Sequence, residues 1–202
     1  MATNAAQHQH IATALATDGY AVVADYLARA EWSELRDTAL ALHRTQNFHA
    51  AGIGRGAQLR QREDVRNDDV CWLDASSDNV AVQHWFARVE QLRHALNETL
   101  YLGAFDFESH FAMYPPGHFY RRHIDVFQGT SARVVTLIAY LNDDWRTEHG
   151  GALRLYLDDD QVRDILPVGG TLVAFLSDRF YHEVPPATRE RLSVTGWLRR
   201  RA

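Results

Sequence analysis

The chain has 202 residues and a mass of 23.0 kDa, with 46% hydrophobic and 23% charged residues, which suits one packed domain and excludes a largely disordered chain. A net charge of -5 disfavours nucleic acid, no apolar run approaches the ~20 residues that cross a bilayer, and one cysteine, Cys71, leaves neither an internal disulfide nor a cysteine-based zinc site. All 21 basic residues are arginine, which excludes lysine Schiff-base chemistry and a Walker-type phosphate loop, whereas 11 histidines point to metal or proton chemistry.

Residues 1–10 are polar and show no basic segment followed by an apolar stretch, so no secretory leader and a cytoplasmic location are expected. Residues 6–17 place Ile11, Ala14 and Leu15 at helical spacing, and Asp18-Gly19 ends that helix. Residues 20–23 read as a short strand. A second helix is expected over 30–45, with Trp32, Leu35, Ala39 and Leu42 on one face. The glycine-rich stretch from Ala50 to Gly56 is no phosphate loop; it reads as a surface loop or a lid over substrate. Residues 70–73 form a strand. Ser77 or Asp78 then caps a long helix reaching about residue 102, whose apolar face holds Val82, Trp85, Phe86, Val89, Leu92, Leu96 and Leu100.

From Phe105 the texture changes to short β-like runs separated by turn signals. The runs cover 107–114, 133–141, 152–157, 171–176 and 191–198, with turns at Pro115-Pro116-Gly117, Asn142-Asp143-Asp144, Asp158-Asp159-Asp160 and 167–170. This spacing predicts a jelly roll or barrel with the preceding helices covering one sheet, an α+β architecture in one domain.

His123 and Asp125 stand two apart in a β-like segment, and residues two apart on a strand share a side. With 17 Asp and 11 His in the chain, about one His-x-Asp arises by chance, so the pair alone also fits a solvated strand face. A third ligand changes its weight, because two histidines and one carboxylate with open positions are the donor set of non-haem Fe(II) oxygenases. His182 lies between the run at 171–176 and the final strand. On that strand Arg191, Ser193, Thr195 and Trp197 alternate to one side, Leu192, Val194 and Leu198 to the other. A polar, arginine-bearing face suits an interior that holds an anion, and the guanidinium fork matches a carboxylate.

The set His123-x-Asp125, His182 and Arg191-x-Ser193 resembles the 2-oxoglutarate- and Fe(II)-dependent oxygenases, and more narrowly the prolyl hydroxylases. Six further stretches carry the likeness to the hypoxia-inducible-factor prolyl hydroxylases: 111–115, 120–125, 140–145, 150–154, 175–179 and 182–184. Residues 105–199 are covered almost continuously. Upstream, 66–72 resembles the end of the family's substrate loop, and 52–56 resembles bacterial members that act on a proline of elongation factor Tu.

The resemblance implies a double-stranded β-helix over 105–199, with residues 1–104 supplying helical support and the substrate loop. It implies Fe(II) on His123, Asp125 and His182. 2-Oxoglutarate would meet Arg191 and the Tyr140 hydroxyl at its far carboxylate, with Tyr114, Thr195 and Trp197 around the pocket. Tyr120, Arg66 and Asp68 would meet substrate, and an Asp68–Arg133 ion pair would tie the loop to the barrel. O₂ is the oxidant and ascorbate a stimulant. The implied partner is a protein with an exposed proline loop, elongation factor Tu first, with no nucleic acid or membrane involved. Ala139 stands where animal members carry a bulkier residue, so a difference in pocket shape is expected. Two other readings stay open: an oxygenase of a free amino acid or small metabolite, and a jelly-roll binding module without catalysis.

Overall fold

A computed structural model describes residues 4–52, 62–126, 132–157 and 161–201. Most of the expected lid, residues 53–61, and the aspartate turn at 158–160 lie outside the described residues.

Helix α1 spans Asn4–Thr17 and buries Ile11, Ala12 and Leu15. It stops at Gly19, whose φ of +80° is a backbone conformation that residues with a side chain rarely adopt. Strand β1 follows at Tyr20–Val23 and helix α2 at Arg29–Arg44. The Glu31 carboxylate accepts from the Ala28 N–H at 2.7 Å, satisfying one donor at the start of α2. A two-residue strand, β2, at His49–Ala50 pairs with β3, Asp69–Trp72.

Helix α3 runs from Val80 to Leu100. Its cap is Asn79, not Ser77 or Asp78: the Asn79 side chain accepts from the Val82 N–H at 3.1 Å, while the Ser77 hydroxyl accepts from the Asn79 N–H. The helix starts where that acceptor reaches its first turn, one residue beyond Asp78 and two beyond Ser77. At the far end the Asn97 amide bonds both the N–H and the carbonyl of Ala104, which aims the chain into β4.

The remaining strands are β4 (Ala104–Tyr114), β5 (Tyr120–His123), β6 (Arg133–Tyr140), β7 (Leu153–Tyr156), β8 (Val162–Ile165), β9 (Leu172–Leu176), β10 (Tyr181–Val184) and β11 (Arg191–Arg200). They form two sheets whose pairings are all antiparallel. The seven-stranded sheet has the order β1-β9-β6-β11-β4-β3-β2, the four-stranded sheet β5-β10-β7-β8.

Alternation along each strand splits the large sheet into two faces. One face carries Phe111, Met113, Val135, Leu137, Leu192, Val194 and Leu198 into a core shared with Ile11, Leu15, Leu35, Trp85, Val89, Leu92 and Leu96 of the helices. The other packs Ala112, Tyr114, Ile138, Tyr140, Val173 and Phe175 against Leu153, Leu155, Ile165 and Val184 of the small sheet. Gly196 falls on the helix-facing side of β11, where a methyl would sit 2.5 Å from the Phe107 ring. The helices thus brace the outer face of the large sheet, and the space between the sheets is left for a site.

Candidate active site

A cavity of about 190 Å³ opens between the two sheets. Its walls include His123, Asp125, His182, Arg191, Ser193, Thr195 and Trp197, and its rim includes Trp72, Arg66 and Tyr120.

Strand pairing delivers the two histidines. His182 on β10 lies directly opposite His123, the last residue of β5, and their rings are 4.1 Å apart between centroids. Asp125 is not on the strand. It sits in a bend just beyond β5, so turning of the chain, not strand alternation, brings it to the histidines. One donor atom from each of the three residues falls within 4.8 Å of the others.

Hydrogen bonds outside the trio fix which atoms face inward. The Arg121 carbonyl lies 2.8 Å from His123 Nδ1, and the Phe180 carbonyl 3.2 Å from His182 Nδ1. A carbonyl only accepts, so both Nδ1 atoms carry a proton, and in the neutral form of each ring the lone pair lies on the inward Nε2. Asp125 Oδ2 accepts from Trp197 Nε1 at 2.9 Å and from the Thr136 hydroxyl at 2.7 Å. Asp125 Oδ1 faces His123 Nε2 at 3.6 Å, and His182 Nε2 lies 3.8 Å from Oδ2. Thr136 is itself bonded to Ser177 at 2.9 Å. This is how protein groups orient metal ligands from behind.

The electrostatics agree. Burial pushes the Asp125 carboxyl up, but the two histidines and the Thr136 hydroxyl outweigh it and hold the group well below the usual carboxylate range. Burial, with the His123 charge, lowers His182 to about 4 against the pull of Asp125. At neutral pH the site therefore presents one carboxylate and a neutral imidazole on His182, the protonation that divalent-metal binding needs. Two imidazoles and one carboxylate, oriented from behind, with His182 and Asp125 buried and His123 partly exposed, fit iron.

Arg191 closes the inner end. It is 2% exposed, and its Nε donates to the Gly151 carbonyl at 2.9 Å. The guanidinium lies 5.1 Å from the ring centroids of both Tyr114 and Tyr140. Among the described residues no carboxylate pairs with it, so a buried cation is held by aromatic faces and one carbonyl. Tyr140 is fully buried beside it, its hydroxyl pushed up to about 12 by burial against the charge and near-hydrogen-bond contact of Arg191. Tyr140 is not among the cavity-lining residues, whereas Tyr114 is. Ser193 and Thr195 continue the wall, their hydroxyls 3.4 Å apart.

The rim departs from expectation. Asp68 is fully buried and makes a two-point pair with Arg66 at 2.8 and 2.6 Å, so it does not reach the cavity. Arg133 bonds Glu108 at 2.9 Å. Two neighbouring pairs thus stand where one Asp68–Arg133 tie was expected, because Arg66 lies on the same short stretch and reaches Asp68 first.

Three site residues escaped the sequence reading. Thr136 sits in an apolar run, and its one hydroxyl among valines, leucine and isoleucine was the available signal. Ser177 bonds Thr136 from the end of β9. His110 lines the cavity, 4% exposed, its Nδ1 unpartnered, stacked 5.4 Å from Trp197. Nothing in its sequence neighbourhood singles it out.

Comparison with known proteins adds the following. Residues 109–199 match the 2OG-Fe(II) oxygenase superfamily. Egl nine homolog 1 of Mus musculus and of Homo sapiens are each 31% identical over 199 residues, covering 94% of this chain. The chain spans about half the length of these curated relatives, 48% and 46%. A Pseudomonas putida prolyl-4-hydroxylase structure superimposes with a TM-score of 0.89 at 39% identity, over 96% of this chain and 100% of that one. A Trichoplax adhaerens prolyl hydroxylase, solved with a hypoxia-inducible-factor peptide, gives 0.87 at 28% identity, over 96% and 89%.

Proposed function

The chain belongs to the 2OG-Fe(II) oxygenase superfamily, and from that premise we propose that it is a peptidyl-prolyl hydroxylase whose target is a proline of elongation factor Tu. We read the two-sheet frame as a double-stranded β-helix over 105–199, supported by residues 1–104, the whole forming one domain. The observation that carries the reading is a single cavity in which two imidazole Nε2 atoms and a carboxylate converge beside a buried, carboxylate-free arginine.

When bound, ferrous iron and 2-oxoglutarate would activate O₂, one oxygen atom going to succinate as 2-oxoglutarate loses CO₂ and the other being inserted into a C–H bond. His123, Asp125 and His182 would hold the metal. Trp197 and Thr136 keep the Asp125 carboxylate turned toward it. Arg191 would receive the far carboxylate of 2-oxoglutarate through its guanidinium fork, with the Tyr114 and Tyr140 ring centroids each 5.1 Å from the guanidinium carbon. Thr195 and Ser193 offer hydroxyls between the two charged ends. The two sheets and the Trp197 ring exclude bulk water, which confines oxidation to a molecule seated in the mouth.

At the mouth, Arg66, Tyr120 and half-exposed Trp72 border the path by which a peptide enters. A proline in an extended loop arrives with φ already fixed, so less order is lost on binding. The likeness to the Pseudomonas putida prolyl-4-hydroxylase and the Trichoplax adhaerens prolyl hydroxylase supports a prolyl substrate.

The test is mass spectrometry of elongation factor Tu incubated with the enzyme, Fe(II), 2-oxoglutarate and ascorbate. One added oxygen on a proline, stoichiometric with succinate, is expected. Turnover stimulated by free proline alone, with the protein unmodified, would overturn the peptide reading.

A further inference from the structure

One stretch of chain outside the ligand set reaches into it. Arg66 precedes β3 and forms an isolated bridge with Tyr120, the first residue of β5. The same stretch bonds β5 again where the Arg121 N–H donates to the Val65 carbonyl at 2.8 Å. The Arg66 guanidinium carbon lies 4.2 Å from the centroid of the Tyr120 ring. That ring stacks on the His123 imidazole with centroids 3.5 Å apart and planes 12° apart. Arg66 is in turn held by both oxygens of the fully buried Asp68. The result is a continuous column: carboxylate, guanidinium, phenol ring, imidazole.

The column answers a geometric need. His123 is anchored through Nδ1 to one carbonyl, and one hydrogen bond does not fix the plane of a ring. A face-to-face stack does. Tyr120 is also poorly placed to offer its faces to a substrate. One face is taken by His123 and the other by Arg66, which leaves its edge and hydroxyl.

We propose that Tyr120 and Arg66 are positioning residues for His123, and that through them the stretch 62–68 is coupled to metal binding. This rests on the reading of His123 as a metal ligand. It differs from a substrate-contact role, which would alter the response to peptide and leave metal affinity unchanged. Coupling of this kind is reciprocal, so metal bound at His123 also orders 62–68.

The experiment titrates the full chain with Co(II), a stand-in for Fe(II) that does not turn over, and reads affinity by absorbance. Tyr120→Phe keeps the stack and should bind Co(II) within about twofold of the unaltered protein. Tyr120→Leu removes it and should bind about tenfold more weakly, the usual scale for groups that support a metal ligand. Arg66→Lys keeps the charge beside Asp68 but loses the planar face, and should weaken binding several-fold even if Tyr120→Leu folds poorly. Hydrogen exchange across 62–68 should slow on Co(II) addition in the unaltered protein and in Tyr120→Phe. Wild-type Co(II) affinity in both Tyr120→Leu and Arg66→Lys overturns the proposal, as does equal weakening in Tyr120→Phe and Tyr120→Leu. Because the readout is metal affinity, failure to hydroxylate any peptide would count against the prolyl reading and leave this result intact. Failure of the unaltered protein to bind Co(II) at all would sink both.

Discussion

Trp197 Nε1 donates to Asp125 Oδ2 at 2.9 Å, across 72 residues of sequence. With Thr136 on the same oxygen, this leaves Oδ1 facing His123. Replacing Trp197 with Phe keeps the ring and removes the donor. Metal affinity should fall by roughly tenfold, the scale expected for groups behind a ligand. Anaerobic Fe(II) titration measures it, and unchanged affinity would show that Thr136 alone orients the carboxylate.

His182→Ala removes an inward-facing lone pair that no neighbouring side chain replaces. Iron binding and turnover should both be lost, while the fold persists because only one side chain in a four-residue strand is shortened. Metal analysis of the purified variant decides it. Full iron occupancy would take His182 out of the ligand set.

Arg191→Ala should raise the 2-oxoglutarate concentration needed for half-maximal turnover by about 10- to 100-fold, corresponding to ~1.5–3 kcal/mol for a charge-assisted contact. Metal affinity measured without 2-oxoglutarate should stay within about twofold. An equal loss of both would place Arg191 in the frame and not at the cosubstrate.

Acid should destabilise the metal-free protein. Burial lowers His182 to about 4 and His110 to about 3, whereas in an unfolded chain each takes a proton near 6.5. The unfolded state therefore binds more protons through that window, and stability falls as pH drops from about 6.5 toward 4, by up to ~1.4 kcal/mol per pH unit for each histidine. Asp125 acts lower down, because its depressed carboxyl keeps its contribution until the pH falls beneath the ordinary aspartate range. Urea unfolding at stepped pH should show the slope, and His110→Leu should make it shallower. A flat profile would mean that these imidazoles are hydrated.

Asn142 is 5% exposed and its amide serves the N–H and carbonyl of Leu192 and the carbonyl of Pro167. Asn142→Leu fits the volume and strips all three partners. It should cost ~2–4 kcal/mol by leaving buried backbone groups unpaired. Chemical denaturation reads the change, and a loss under ~1 kcal/mol would show that water replaces the amide.

Much of this arrangement was legible. The alternation Arg191, Ser193, Thr195, Trp197 against Leu192, Val194, Leu198 assigns the two faces of β11 from sequence alone, because a strand between a helical layer and a polar cavity must carry both patterns. The three helices follow from their apolar spacing. Other features depend on contacts that periodicity does not encode. The position of Asp125 is set by a bend after His123. Strands β5 and β10, four residues each, are too short to show a period. The burial of Asp68 follows from where Arg66 happens to reach. Thr136 and His110 gain their meaning only from neighbours far away in the chain.

The place of β11 in the large sheet has a consequence for how the molecule is made. The last strand in sequence lies between β6 and β4, joining β1-β9-β6 to β4-β3-β2. Until it is inserted, the sheet exists as two unconnected halves and neither Arg191 nor Trp197 is in place. A ribosome-bound chain that has not yet released this segment can collapse its helices but cannot finish the cavity. Such long-range closure makes for slow folding, and it means that the arginine end of the cavity and the Trp197 support behind Asp125 form together, in one late step.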